Sequence, residues 1–322
     1  MIGITSGDPN GVGPEILLRA YQGKKLPYPF ITIGDYEVLK YCNNHLHLDI
    51  PLYKMNSSSD IQEGGYLNVL DAGILTEKDL SVGKISRKGG DASLRYIDKA
   101  VELSIKGDIE AMVTLPVNKE AIRLVNKNFR GHTDHIAGLC DVKNYSMMLI
   151  SDKLIVTHVS MHVSLKESLD YVVKERIIDV IRLTHDAVKK LRPRVRIAVA
   201  GLNPHAGEHG AFGTEEISDI KPAVLTAVSE GMDVHGPIPP DTVFYQAIQG
   251  KFDAVVCMYH DQGHIPVKLL DFENAVNVTL GLPIIRTSVD HGTAYDIAWK
   301  GKASIQSFCN AFKSAAQLIR KD

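Results

Sequence analysis

Strand-length apolar runs alternate with amphipathic helical stretches along almost the whole chain, which predicts an α/β protein with largely parallel sheets. Two further observations go with this. The 322 residues are too many for most single cores and point to two domains. Polar clusters rich in histidine directly follow the apolar strands, where ligands bind in open α/β sheets.

Taken in order, residues 2–5 form a strand, 6–13 a turn and 15–21 a helix with Pro14 in its first turn. The turn, GDPNGVGPE, either offers backbone N–H groups to an anion or is a plain tight turn. It matches neither G-x-G-x-x-G nor a Walker loop. Residues 30–34 read as a strand, 35–41 as a helix and 66–70 as an edge strand, with weak patterns over 43–65. Leu94, Ile97, Val101 and Leu103 give a helix over 87–106, with Gly107 after it. A strand at 111–115 leads to a short helix capped by Asn118. Residues 145–150 and 154–159 form an antiparallel hairpin about Ser151, Asp152 and Lys153.

The longest helix is expected over 167–191, on Val173, Ile177, Ile181, Val188 and Leu191. A strand at 195–200 empties into a glycine-rich loop over 201–216. Residues 222–230 are helical, and 236–244 turn into a helix with Asp241 at its N-cap. The apolar run 254–258 breaks sharply into Tyr259, His260, Asp261, Gln262, Gly263 and His264. Strands at 275–280 and 284–288, a long loop over 289–303 and a helix over 304–321 complete the chain.

Composition narrows the function. A net charge of −2 with interspersed signs gives no electrostatic case for nucleic acid or an anionic membrane surface. No run reaches membrane-spanning length, and the first residues lack the pattern of a signal peptide. The four cysteines, Cys42, Cys140, Cys257 and Cys309, are scattered, as reduced thiols of a cytoplasmic protein are.

Thirteen histidines are many, and His162, His205 and His260 each follow a strand. Imidazole is the common ligand of zinc and similar divalent ions, and three of them leave positions open for water or substrate. The alternative is histidines bonded to nearby backbone. His158 competes with His162, which lies closer to the strand end, while His209 and His264 remain further candidates. Asp241 and Asp261 are placed to orient an imidazole or accept a proton, though Asp241 suits a helix cap equally. Lys268, Asn277 and Arg286, with His132 and Thr133 at a helix start, suit a phosphate or carboxylate.

The blocks GDPNGVGPEI, GHTDH, HVSLKE, GLNPHAGEHGAFGTEE, GPIPPDTVF, YHDQGHIPVK and AVNVTLGLPIIRTSVDHGTAYDIAWKGKA span residues 3 to 303. Together they resemble the 4-hydroxythreonine-4-phosphate dehydrogenase family. The resemblance implies two α/β/α domains with a cleft between them, like isocitrate and isopropylmalate dehydrogenases. One domain is expected over 1–125 with 261–322 and the other over 126–260. It further implies a homodimer with shared active sites, NAD or NADP, and one divalent ion per site (zinc, magnesium or cobalt). His162, His205 and His260 would bind the metal, from both subunits, and His132, Thr133, Lys268, Asn277 and Arg286 the substrate. His291, Gly292, Thr293, Ala294 and Asp296 would hold the dinucleotide, with Trp299 where the family usually has glycine.

The implied reaction is oxidation and decarboxylation of 4-hydroxy-L-threonine phosphate to 3-amino-2-oxopropyl phosphate, in pyridoxine 5'-phosphate biosynthesis. The segment VTHVSMHVSLKE is closer to a branch that oxidises D-threonate or D-erythronate 4-phosphate. A catalytically inactive binding protein on the same scaffold is disfavoured because all three metal histidines are present. A metal-dependent hydrolase has no need of the dinucleotide loop.

Overall fold

β1 (Ile2–Thr5) is buried at every position and sits within the first of two units. The chain continues through α1 (Gly13–Gln22), β2 (Phe30–Gly34), α2 (Tyr36–His45), β3 (Leu52–Met55), β4 (Leu67–Asp71), α3 (Arg87–Lys106), β5 (Ala111–Thr114), α4 (Lys119–Arg123) and α5 (His132–Leu139). The second unit holds β6 (Ser146–Ile150), β7 (Ile155–His158), α6 (Leu165–Ser168), α7 (Lys174–Lys189), β8 (Arg196–Ala200) and α8 (Lys221–Ser229). It also holds β9 (Asp233–Ile238), α9 (Pro240–Ile248), β10 (Ala254–Cys257), α10 (His260–Asp271) and β11 (Val276–Leu280). β12 (Ile285–Ser288) and α11 (Gln306–Ile319) belong to the first unit again. The computed structural model describes residues 1–319; residues 320 and 321 of the expected last helix lie outside the described residues.

The units are Met1–Lys143 with Leu282–Ile319, and Asn144–Gly281. The expected divisions, at 125/126 and 260/261, lie earlier in the chain. α5 packs against α3, and α10 against β7 and β10, so each of these helices stays with the strands and helices it covers.

In the first unit the strands run β3-β4-β2-β1-β5-β12, and all pairings are parallel. Parallel strands need cover on both faces, hence their near-continuous apolar runs. α3 supplies part of that cover through Tyr96, Ile97, Ala100 and Val101. Its start is fixed by Ser86, whose hydroxyl accepts from the Gly89 N–H, and its end by Gly107 at φ 80°. The second unit runs β11-β6-β7-β10-β8-β9. The expected hairpin β6/β7 is antiparallel, as is β11/β6, and the remaining pairs are parallel. Ile177, Ile181, Val256 and Met258 belong to one apolar cluster of this unit, and Val156, Val255, Cys257 and Val267 to another.

Three expectations need correction. β4 is not an edge strand: β3, drawn from the weakly patterned 43–65 stretch, pairs outside it. The long helix expected over 167–191 is broken, because Val172 and Val173 leave the helical region at φ/ψ −81°/68° and −123°/147°. β-branched side chains resist the helix, and Val172 is buried at the break. Asp241 is not an N-cap. Pro239 holds that position and Asp241 lies in the first turn of α9, after a strand, β9, that takes in Gly236, Pro237 and Ile238.

The glycine-rich loop after β8 makes a left-handed turn. His205, Ala206, Gly207, Glu208 and His209 all have φ between 40° and 78°. For residues with side chains this costs about 1–2 kcal/mol each. Glu216, 3% exposed, offsets part of that cost. Its carboxylate accepts from the Leu202 and Asn203 N–H groups at 2.8 and 2.7 Å and from Asn203 Nδ2 at 3.0 Å. Replacing Glu216 by Ala strands the Leu202 and Asn203 N–H groups, while Asn203 Nδ2 keeps Glu215 at 2.7 Å, so we expect the unfolding free energy in urea to fall by roughly 2–4 kcal/mol. An unchanged midpoint would show that the loop stands without it.

Candidate active site

β7 and β10 of the second unit end side by side, and four histidines gather there. His158 closes β7, His162 follows in the next bend, and His260 and His264 lie one turn apart on α10. The rings of His260 and His264 stack at 3.6 Å and 13°, and that of His162 lies 5.5 Å from His260. A cavity of about 290 Å³ opens here, lined in part by Met161, His162, Ser168, Tyr259, His260 and Asp261.

Hydrogen bonds assign the nitrogens. His158 Nδ1 lies 3.0 Å from the Met147 carbonyl, which can only accept, so that nitrogen carries the proton. Its Nε2 then accepts from His264 Nδ1 at 3.1 Å, which also faces the His260 carbonyl at 3.1 Å. Both rings stay neutral. Burial holds His158 at about 4, and burial with the neighbouring His158 and His260 holds His264 at about 2. With both nitrogens engaged and no exposure, His158 is a structural partner, and His162 is the histidine beside the cavity. His260 Nδ1 lies 2.6 Å from Asp261 Oδ1. A carboxylate on one imidazole nitrogen turns the other outward as a ligand.

The other expected residues of this unit are dispersed. Exposed His205 opens the left-handed turn, its ring 6.3 Å from that of Phe212, and exposed His209 closes it. Asp241 is exposed on α9. Lys268 follows His264 by one turn of α10. Asn277 Nδ2 donates to Met147 Sδ at 2.9 Å, leaving its buried Oδ1 without a partner. Among the described residues, no three His, Cys, Asp or Glu are arranged to hold a metal ion.

In the first unit, Arg286, His132 and Thr133 come together. Arg286, 3% exposed on β12, donates through Nη2 and Nε to Thr114 Oγ1 at 2.8 and 3.2 Å, and through Nη1 to Thr133 Oγ1 at 3.4 Å. Burial lowers its guanidinium to about 9, still charged at neutral pH. His132 begins α5, and its buried Nε2 has no partner. A buried cation beside an orphaned imidazole nitrogen suits an anion. Thr114, at the end of β5, was not singled out in the sequence, because a threonine closing a strand carries no chemical signature.

The loop expected to hold the dinucleotide follows β12. His291, Gly292, Thr293, Ala294 and Asp296 lie in it, and among the described residues it forms no regular element between β12 and α11. Trp299 has φ 58°, the left-handed value that favours glycine, and its ring packs 5.8 Å from Tyr41 and 6.1 Å from His45.

Burial, and then the Arg286 charge, hold the His132 pKa well below its usual value. A folded pKa below the unfolded one gives stability that is present above pH ~6.5 and lost as the pH falls through that value, because only the unfolded chain takes up the proton. The unfolding free energy should therefore drop below pH ~6.5, and His132→Gln should flatten the slope by up to ~1.4 kcal/mol per pH unit. Parallel slopes in urea titrations would show that His132 titrates alike in both states.

Residues 25–315 match the family described as Pyridoxal phosphate biosynthetic protein PdxA. The chain is 44% identical to the D-threonate 4-phosphate dehydrogenase of Salmonella typhimurium, over 98% of both chains. It is 41% identical to that of Pectobacterium atrosepticum, over 99% of both. A crystal structure of 4-hydroxythreonine-4-phosphate dehydrogenase from Klebsiella pneumoniae superposes with a TM-score of 0.87 at 41% identity, over 99% of both chains. Matched along nearly its whole length, the chain belongs to the PdxA family of dehydrogenases.

Proposed function

We propose that this protein is a metal-dependent D-threonate 4-phosphate dehydrogenase that oxidises and decarboxylates its substrate. Membership of a dehydrogenase family implies a nicotinamide cofactor. The observation that carries the substrate is the end-to-end similarity to relatives named for D-threonate 4-phosphate. The extra histidine of VTHVSMHVSLKE, His158, supports the same branch. The vitamin B6 substrate, 4-hydroxy-L-threonine phosphate, is the second reading, favoured by solved relatives named for it.

Arg286, His132 and Thr133, with Lys268 and Asn277, are assigned to the substrate's anionic and polar groups. Their orphaned atoms, His132 Nε2 and Asn277 Oδ1, support this. His291, Gly292, Thr293, Ala294 and Asp296 are assigned to NAD or NADP. The donor set of the second unit fits a divalent ion, since His260 is oriented by Asp261 and His162 lies beside it. His162 and His260 would hold that ion, with His205 supplied by a second copy of the chain. Such an ion would supply Lewis acidity at the C3 oxygen.

Asp241 or Asp261 takes the hydroxyl proton in this scheme, and Asp261 is the one that lines the cavity beside His260. A bound nicotinamide would serve as the hydride acceptor, so that oxidation at C3 gives a ketone β to the carboxylate. The C–CO2 bond then breaks towards that ketone, and protonation leaves a three-carbon hydroxyketone phosphate and CO2. A homodimer is supported by Ile265 and Leu269 on α10 and Phe272 just after it, apolar side chains exposed at 63, 86 and 70%. Four unpaired cysteines support a cytoplasmic setting.

The test is reduction of NAD or NADP with a divalent ion and, separately, D-threonate, D-erythronate and 4-hydroxy-L-threonine phosphates. Turnover of D-threonate 4-phosphate is expected, with Arg286→Gln raising its KM by roughly 10- to 100-fold. Turnover of the amino acid phosphate alone would overturn the substrate assignment.

A further inference from the structure

The turn after β1 has no role in the scheme above, yet four of its N–H groups, those of Asp8, Asn10, Gly11 and Val12, are committed within the protein. Asp8 N–H donates to the Pro116 carbonyl, Asn10 N–H to Asp8 Oδ1, Gly11 N–H to the Asp8 carbonyl and Val12 N–H to the Thr293 carbonyl, all at 2.9–3.0 Å. These donors are therefore not offered to an anion, and the turn grips the loop after β12 instead. Tyr295 Oη donates to Asp8 Oδ2 at 2.7 Å, and Trp299 Nε1 to the Gly11 carbonyl at 3.1 Å. A Cβ on Gly11 would lie 2.9 Å from Thr293 Cβ, so only glycine lets the two segments meet this closely.

The gripping turn is itself fixed. Asn10 Nδ2 donates to Ser86 Oγ at 3.0 Å, and its Oδ1 and carbonyl accept from the Ser81 and Gly83 N–H groups at 2.7 and 2.8 Å. Asp8 has no exposed surface. Losing the phenol would leave a buried carboxylate one donor short.

We infer that Tyr295, held by Asp8, is a positioning residue for the dinucleotide: the turn after β1 sets the conformation of the loop that carries Thr293, Ala294 and Asp296. This rests on assigning residues 291–296 to the dinucleotide.

The experiment is titration of the full-length protein with NAD and NADP, read by calorimetry and by the fluorescence of Trp299, the single tryptophan. Tyr295→Phe removes only the hydroxyl. Its dinucleotide Kd should rise roughly 3- to 10-fold as the loop's competent population falls, and kcat should fall by less. Asp8→Asn should weaken binding similarly, and the double variant no further, the signature of one coupled pair. Asp296→Ala is the control for the assignment. Weaker binding in Asp296→Ala with none in Tyr295→Phe would overturn this inference alone. Unchanged binding in both would overturn the dinucleotide assignment and this inference with it. Additive losses in the double variant would show that Tyr295 and Asp8 do not act together.

Discussion

The close approach of α10 to β7 sets the geometry of the second unit's site, and Gly263 makes it possible. A Cβ there would lie 2.6 Å from His158 Nε2 and 2.9 Å from Cys257 Sγ. Without it, the helix comes near enough for the buried His158 to meet His264, and His264 in turn stacks on His260. The Met147 carbonyl thus reaches the half-buried His260 imidazole through two neutral rings, those of His158 and His264. The same helix turns His260 and His264 to one side and Ile265 and Leu269 to another. An orienting shell and an exposed apolar stripe share one element.

The first unit solves a different problem. Its candidate residues are a buried guanidinium and a loop without regular structure, and each is held by segments distant in sequence. Thr114 and Thr133 occupy the Arg286 fork, and the turn after β1 occupies the backbone and side chains of the loop after β12. Trp299 shows how much such a loop tolerates. It adopts a glycine-like φ, and its ring packs beside Tyr41 and His45.

Much of this was legible in the sequence, for identifiable reasons. Periodicity located α3 and the β6/β7 hairpin because their apolar patterns are unbroken and their ends carry Ser86, Gly107 and a polar turn. It failed where local pattern and tertiary burial disagree. Val172 and Val173 continue a helical stripe but break the helix, and β3 and β9 have sparse apolar residues because they flank their sheets. His162 and His260 stood out by following strands. The roles of His158, Tyr295 and Thr114 were hidden, since each depends on a partner 106, 287 and 172 residues away.

The central proposal is that a divalent ion would be held by His162 and His260 of one chain and His205 of a second copy. It is tested by dissociating chains carrying His205→Ala and chains carrying His260→Ala, mixing them in equal amounts and re-associating them. Each variant alone should be inactive. The mixture should recover about a quarter of wild-type activity, because half of the dimers are mixed and each holds one intact site. No recovery on mixing, with mixed dimers present, would place all three histidines on a single chain and contradict the account.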